Sequence, residues 1–215
     1  MKIKHLIFIF SIFFFISCKQ DNLGVSQVHA KLILEYKDNA SLPHSRLSVF
    51  ISSNFDTRKI DSLYIKDTSS DLFWETSNLF NFRSDDASYV GFSSFVVPDG
   101  ELFSKGEYNL IVKAKDGQEN TSVFNLQYDE SYFSMNAKDA EEELKKSGAK
   151  ESICIYNEED KVIYFGNRSD ELQTNRDIWL KYNDAKRYNS VWIFENKSFM
   201  FVMPFENVVA GEVNE

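Results

Sequence analysis

Few residues in this chain have the types and spacing that catalysis requires. Histidine is the usual general base because its pKa lies near neutrality, and two of the three histidines lie outside the N-terminal leader described below. His29 falls in a predicted strand and His44 follows Pro43 in a polar turn. We interpret both as surface residues rather than catalysts.

Two serine motifs match catalytic patterns only in part. Ser147 and Lys150 have the S-x-x-K spacing, but they straddle a predicted helix end, and the companion motifs S-D-N and K-T-G are absent. The segment 91–95 begins like G-x-S-x-G, yet Phe95 replaces the second glycine and no helix follows. We therefore expect that the protein is not an enzyme.

Carboxylates support an alternative hypothesis. Asp71, Glu75, Asp85 and Asp86 lie near Trp74 in the sequence, and a carboxylate pair beside an aromatic ring would suit carbohydrate binding or glycoside hydrolysis. For metals and cofactors the signals are absent: the chain has no regular calcium loop, no zinc ligand set and no phosphate-binding or dinucleotide motif. The sequence predicts no metal and no cofactor.

The charge balance excludes one class of partner. The chain has 24 basic and 33 acidic side chains, a net charge of -9, and 43% of its residues are hydrophobic. This composition is typical of globular proteins. Because phosphate recognition depends on clustered lysine and arginine, which are absent here, we expect no nucleic acid partner.

The N-terminus has the pattern of a signal peptide. A short basic start, residues 1–5, precedes an apolar run from Leu6 to Ile16 that is interrupted only by Ser11. A helix of about 11 residues covers roughly 16 Å, about half of the hydrocarbon core of a bilayer. The run is therefore too short for a stable membrane span.

The residues after this run, Phe15-Ile16-Ser17-Cys18, resemble the lipobox of bacterial lipoproteins, and the bulky Phe15 is similar to the looser lipoboxes of spirochaetes. The resemblance implies cleavage of residues 1–17 and attachment of acyl chains such as palmitate to Cys18. Two or three chains give stable membrane anchoring. The alternatives are a plain secretory signal that leaves Cys18 unmodified, or a buried core strand.

The resemblance predicts a location and a charge for the mature protein. It would be anchored in the cell membrane or outer membrane, with its body in the periplasm or at the cell surface and residues 18–27 as a lipidated tether. Loss of Lys2 and Lys4 leaves 22 basic and 33 acidic side chains, a net charge of -11. We expect this negatively charged body to be repelled by anionic lipid headgroups.

Cys154 lies between two isoleucines, which favours a buried thiol over a reactive one.

Period-two alternation dominates residues 28–128 and predicts an antiparallel β-sandwich. The predicted strands are 28–36, 46–53, 60–66, 71–76, 88–97, 106–114 and 120–128, with turns between them that include 81–86. Residues 106–128 form the clearest hairpin, and Gly106-Glu107-Tyr108 resembles the opening of the penultimate strand in bacterial immunoglobulin-like and fibronectin-type modules. The resemblance implies that the Tyr108 hydroxyl bonds a nearby backbone group, as in a tyrosine corner.

A small α+β unit is predicted for residues 131–204, after the immunoglobulin-like sandwich at 28–130. Its helix spans residues 136–146, with Asn136 as N-cap, and two hairpins follow, at 152–165 and 190–203. Residues 177–188 fit a helix or a strand, and we favour a helix that is capped by Thr174. We expect residues 205–215 to be a disordered tail.

Surplus aromatic residues at 72–74 and 79–82 fit either a partner surface or the packing of the two domains, and we favour domain packing. Because scaffolds of this kind commonly present loops for binding, the leading hypothesis is a non-enzymatic envelope lipoprotein that recognises a protein partner. The alternatives are the carbohydrate-binding or hydrolytic protein and a structural envelope assembly factor.

Overall fold

Strands with alternating buried and exposed residues make up the first part of the chain. The computed structural model describes residues 23–53, 56–84, 87–98 and 100–209. The strands of this part are β1 (Val25–Glu35), β2 (His44–Ser53), β3 (Ile60–Asp67), β4 (Phe73–Thr76), β5 (Phe80–Ser84), β6 (Ala87–Phe95), β7 (Gly106–Ala114) and β8 (Glu119–Leu126). A short 3-10 turn, Thr57–Lys59, precedes β3.

These strands form the two sheets of an immunoglobulin-like sandwich. One sheet has the antiparallel order β1-β2-β6-β5, and the other has the order β4-β3-β7-β8. If the strands are lettered along the chain, these orders are A-B-E-D and C′-C-F-G, which is the immunoglobulin arrangement. The predicted fold class is confirmed.

The predicted tyrosine corner is present at the start of β7. Tyr108 is fully buried, and its hydroxyl donates a hydrogen bond to the carbonyl oxygen of Ser104 (2.8 Å). Its ring stacks on Phe124 of the neighbouring strand β8 at 5.2 Å. The hydroxyl thus fixes the loop that enters β7 while the ring packs in the sandwich core.

Strand β5 corrects the prediction of a turn at residues 81–86. Residues Phe80–Ser84 pair with β6, and every residue of β5 is exposed. The segment lacks the buried face by which half-buried strands are recognised in a sequence. Pairing with β6 forms the strand although no alternating burial marks it.

The rest of the described chain is a small α+β unit, as predicted. After a 3-10 turn at Glu130–Ser134, its elements are α1 (Ala137–Lys146), β9 (Lys150–Asn157), β10 (Val162–Asn167), a 3-10 turn at Asp170–Leu172, α2 (Asn175–Lys181), β11 (Ala185–Ile193), β12 (Phe199–Val202) and β13 (Glu206–Asn207). The side chain of Asn136 caps α1 by accepting a bond from the Asp139 N–H (3.0 Å). Gly148 adopts a φ of +78° just after the helix.

The ambiguous segment 177–188 contains both a helix and a strand. Thr174 and Asp177 form the reciprocal bonds of a capping box, and α2 begins at Asn175 as favoured. The helix ends at Lys181, however, and Tyr188 belongs to β11, where it pairs with Ile155 of β9. The prediction of a helix through residue 188 is wrong because cross-strand pairing takes over from residue 185.

A parallel strand pair joins the two predicted units. β12 runs alongside β1, with Leu32 opposite Phe199 and Leu34 opposite Phe201. The described residues therefore contain one large sheet in the order β10-β9-β11-β12-β1-β2-β6-β5, with β13 beside β11. Residues 28–130 and 131–204 share this sheet.

One hydrophobic cluster also crosses between the units. Leu34 of β1, Leu110 of β7, Leu144 of α1 and Phe201 of β12 all belong to it and are almost completely buried. A smaller cluster lies against α2, with Ile178 of that helix packed against strands β9 and β11. Burial of these apolar side chains is the main stabilisation of the fold.

The ends of the chain lie mostly outside the described residues. The leader 1–17 and residues 18–22 of the predicted tether are not described, whereas Val25 already pairs with Ser53 in the sheet. Of the predicted disordered tail, residues 206–207 instead form β13 because they pair with Arg187 and Tyr188. In the described part of the chain, none of the helices has the length and apolar character of a membrane span.

Candidate interaction surface

Four aromatic side chains, two of them exposed and two partly buried, share the outer face of the sandwich. Phe50 lies between Val49 and Ile51, which are fully buried, so alternation places it on the opposite face of β2. We define the aromatic patch as Phe50 of β2, Phe80 and Phe82 of β5, and Tyr89 of β6. Phe80 is 53% exposed and Phe82 is 50% exposed.

Three rings of the patch, those of Phe50, Phe82 and Tyr89, form a chain of contacts across three strands. Phe82 lies opposite Tyr89 in the β5–β6 pair, and their rings stack with centroids 4.9 Å apart. Phe50 meets Phe82 edge to face at 5.5 Å. Phe80 stacks on Phe92, which also packs against the core. The patch is thus an ordered surface that is supported from below.

A glycine makes the close packing beneath the patch possible. Gly91 of β6 lies opposite both Phe50 and Phe80 in the sheet. A Cβ atom at this position would lie 2.2 Å from the Val49 carbonyl oxygen and 2.6 Å from Cδ1 of Phe50. No side chain fits without displacing the β2 backbone, so the position of Phe50 depends on Gly91.

The patch face of β1 and β2 carries two cations and one carboxylate. Lys31 lies on the outer face of β1, and Arg46 on the same face forms an ion pair with Glu35 (3.0 Å). Arg83 in β5 is exposed and has no ion pair among the described residues. Burial, and then the Lys31 charge, lower the pKa of His29, whose ring contacts Tyr89.

The structure separates the two sets of surplus aromatic residues. Trp74 faces the sandwich core, where it packs against Phe103 and Tyr108. Phe73 lies on the outer face of the other sheet and stacks on Tyr64. Packing between the two units, the favoured interpretation, is wrong for Phe80 and Phe82, because β5 ends the sheet on the side away from β12.

Of the two described carboxylates in this hypothesis, Glu75 does not lie beside Trp74. Glu75 and Trp74 are consecutive residues of β4, so their side chains lie on opposite faces of the sheet. The Trp74 indole N–H donates to the Val96 carbonyl oxygen (2.6 Å). Asp71 is exposed, and the Asp85–Asp86 pair lies outside the described residues. The carbohydrate hypothesis stays a prediction without support from this arrangement.

The other candidate catalytic residues have structural partners of their own. Ser147 donates its hydroxyl to the Leu144 carbonyl oxygen (3.0 Å), while Lys150 pairs with Glu195. His44 is exposed, and its nearest charged partner is Glu35, 3.8 Å away. The S-x-x-K spacing therefore brings no lysine beside the serine hydroxyl.

Of the two cysteines, the structure describes only Cys154. Cys154 is buried in β9 without a disulfide, and burial raises the pKa of its thiol. This matches the predicted buried thiol. Cys18, the predicted lipid attachment residue, lies outside the described residues, so its modification stays a prediction.

The acidic turn between β9 and β10 is compensated by neighbouring cations. Glu159 pairs with Lys161 (2.5 Å) and Asp160 with Arg187 (2.9 Å). Within the described ranges, no group of three or more potential ligand residues could hold a metal ion. We therefore interpret this acidic segment as the turn of the β9–β10 hairpin and not as a metal site.

Two cavities lie elsewhere on the described surface. A cleft of about 610 Å³ contains Lys105 and Lys197, but Asp129 shares its lining and Lys105 pairs with Glu130 (2.8 Å). A groove of about 580 Å³ is lined by loops that include Leu42 and Leu102. In the cleft, the charges of the two lysines are balanced by nearby carboxylates. The groove lies at the end of β1 that is farther from Val25.

Sequence reasoning missed the patch although it noticed two of its residues. Phe80 and Phe82 alternate with Asn81 and Arg83, which is the period of a strand with one apolar face. For Phe50, alternation with Val49 and Ile51 is the signal that it faces away from the core. Neither pattern shows that Phe50 lies on the same face of the sheet as Phe80 and Phe82, because that depends on the order of the strands.

Comparison of the chain with protein families, curated proteins and solved structures finds no match in any of the three. The interpretation of the patch therefore rests on its own geometry.

Proposed function

We propose that the protein is a non-enzymatic envelope lipoprotein that recognises a protein partner through the aromatic patch. The single observation that supports the recognition role is the exposure of Phe80 and Phe82 on the same face as the partly buried rings of Phe50 and Tyr89. Aromatic residues are enriched at the energetic centres of protein interfaces, because they bury a large area with little loss of conformational freedom. Because the rings are already held in place, they lose little conformational entropy when a partner covers them.

The lipoprotein part of the proposal rests on the leader and on Cys18. Acyl chains on Cys18 would hold the protein at the cell membrane or outer membrane, with its body in the periplasm or at the cell surface. Five residues after Cys18 the chain reaches Leu23, a span of at most about 18 Å. The body would thus remain close to the bilayer, and its partner would meet it there.

The patch lies near the end of the body to which this tether leads. The Ser53 hydroxyl donates to the Gly24 carbonyl oxygen (2.7 Å), and the adjacent Ser52 is opposite Tyr89 of the patch. A membrane-proximal partner would therefore find the patch within reach. The groove near Leu42 lies at the other end of β1.

Photo-crosslinking in cells tests the recognition role. Benzoylphenylalanine replaces Phe82 in the patch or, as the matched control, Leu42 in the distant groove, since both positions are exposed and apolar. We expect a discrete protein adduct from position 82 that is absent from position 42. Equal adducts from both positions, or none from position 82, would contradict the proposal.

Detergent partitioning tests the anchor separately. A Cys18→Ser variant loses the sulfur that would carry the acyl chains, so the protein is expected to move from the detergent phase to the aqueous phase. If the variant stays with the detergent, or if mass spectrometry finds an unmodified Cys18, the lipoprotein assignment fails. Protease treatment of intact cells then distinguishes a surface location from a periplasmic one.

A further inference from the structure

Among the described residues, no strand pairs with the outer edge of β5. This strand is the last of the order β10-β9-β11-β12-β1-β2-β6-β5, and all five of its residues are exposed. An edge strand presents unpaired backbone N–H and C=O groups that can hydrogen-bond to another strand. Proteins use such edges to bind extended segments by strand addition.

The hairpin register identifies the backbone groups that face outward. Ser84 is opposite Ala87, and only two residues connect them. In a hairpin of this length the closing pair is hydrogen-bonded, and bonded pairs then alternate along the ladder. Phe82 and Phe80 therefore bond to β6, while the N–H and C=O groups of Asn81 and Arg83 face the open side.

The side chains of β5 specify different chemistry on its two faces. Phe80 and Phe82 contribute to the aromatic patch on the outer face, so an added strand would place apolar side chains beside them. Asn81 and Arg83 lie on the other face, where the exposed Arg83 has no ion pair among the described residues. An acidic side chain opposite Arg83 would form a favourable cross-strand charge pair.

Charge also favours an acidic segment over a second copy of this chain. Two copies of a body with 33 acidic and 22 basic side chains after cleavage would repel each other. Arg83, by contrast, is an exposed cation on the edge strand itself, on the face opposite the aromatic patch. The edge is therefore suited to a short segment of a different protein that places an acidic residue opposite Arg83 and apolar residues beside Phe80 and Phe82.

We propose that β5 binds an extended segment of a protein partner as an additional antiparallel strand, in which apolar residues beside Phe80 and Phe82 alternate with acidic residues. One of these acidic residues lies opposite Arg83. This inference rests on the proposed function, because it specifies how the partner uses the same patch.

Peptide binding to designed variants tests this mode. The full-length chain is purified, placed in phosphatidylcholine nanodiscs and titrated against a fluorescein-labelled ten-residue peptide of alternating valine and glutamate. A peptide of alternating valine and lysine is the probe for charge. We expect saturable binding of the glutamate peptide, measured by fluorescence anisotropy, and binding of the lysine peptide that is at least about fivefold weaker.

The substitution Asn81→Pro removes one backbone donor on the open side without removing a bond to β6. We expect it to weaken binding of the glutamate peptide at least about tenfold. Asn81→Ala is the matched control, because it removes the side chain and keeps the backbone donor, and it is expected to bind within about twofold of the unaltered chain. Equal binding by the proline variant and the unaltered chain would overturn strand addition.

The substitution Arg83→Glu tests charge complementarity. It is expected to reverse the order of the two peptides, so that the lysine peptide binds more tightly. Lys138→Glu makes the same change in net charge on the exposed surface of α1 and is expected to leave the order unchanged. The same response to both substitutions would mean that overall charge, not the β5 edge, sets the preference.

Other occupants of the edge have distinct outcomes. If sedimentation shows a dimer that Asn81→Pro dissociates and Asn81→Ala does not, the edge binds a second copy and the proposal fails. If the added fluorescence of a Phe82→Trp variant is quenched by brominated phosphatidylcholine, the patch lies on lipid and the proposal fails. If the crosslink in cells from position 82 persists with Asn81→Pro, the partner uses the patch without adding a strand, and only this inference is lost.

Discussion

The two faces of the sandwich sheets use aromatic residues in opposite ways. Inside the sandwich, Tyr108 stacks on Phe124, and its hydroxyl is bonded to the Ser104 carbonyl oxygen. Outside it, Phe82 stacks on Tyr89 at a similar distance, but half of its side chain remains exposed. Similar ring contacts are therefore buried on one face and remain half exposed on the other. The difference is decided by what covers the rings, not by their type.

The largest effect on stability is expected from the inner face. A Tyr108→Ala substitution removes a fully buried ring and leaves a cavity in the core, which typically costs about 3–5 kcal/mol. Urea unfolding should show this as a lower midpoint with an unchanged slope. A loss below about 1 kcal/mol would mean that the inner rings do not hold the sandwich together.

Gly91→Ala tests the support of the outer face. The added Cβ would meet the Val49 carbonyl oxygen at 2.2 Å, so the β2 backbone must shift. We expect a destabilisation of about 3 kcal/mol, the upper range for overpacked sites. A weaker crosslink at position 82 should accompany it. The exposed Gly117, which has free space around it but a φ of +86°, gives a comparison for strain without a clash.

The buried carboxyl group of Asp67 makes the stability of the sandwich depend on pH. Burial raises the pKa of this carboxyl, but hydrogen bonds from Ser69, Ser70 and Ser104 outweigh burial and hold it below its ordinary value. Because the folded-state pKa is the lower one, this stabilisation is present above about pH 4 and is lost as the pH falls through the folded-state pKa.

An Asp67→Asn substitution should therefore destabilise the protein by about 2 kcal/mol at neutral pH. The difference from the unaltered chain should shrink as the pH is lowered below about 4, when its own carboxyl becomes protonated. Unfolding midpoints measured from pH 7 to pH 2.5 check both statements. A difference that is constant over this range would show that the charge of Asp67 contributes nothing.

The smallest effect on stability is expected in the patch itself. A Phe82→Ser substitution removes a ring that is already half in water, so the expected loss is about 1 kcal/mol or less. The same variant should lose most of its partner binding, since aromatic anchors dominate interfaces. Comparable losses from Phe82→Ser and Tyr108→Ala in urea unfolding would remove the distinction between the two faces.

Local signals in the sequence predicted much of the fold. Alternation along residues 106–126 and the turn at Asp116-Gly117 indicate the β7–β8 hairpin, and Asn136 and Thr174 mark the starts of both described helices. These signals act over a few residues, so they can be recognised without knowing the fold. The end of α2 was not predictable in this way, because Tyr188 is drawn into β11 by its pairing with Ile155.

By itself, the sequence determined the strand-rich sandwich, the capped helices, the buried position of Cys154 and the acidic charge of the chain. Only the tertiary structure decided that β12 pairs with β1 and that Phe50, Phe80, Phe82 and Tyr89 form one surface. The reason is the range of the interactions involved. Alternation assigns a residue to one of two faces, whereas the neighbours on that face depend on sheet order, which is set by packing between strands that are far apart in the chain.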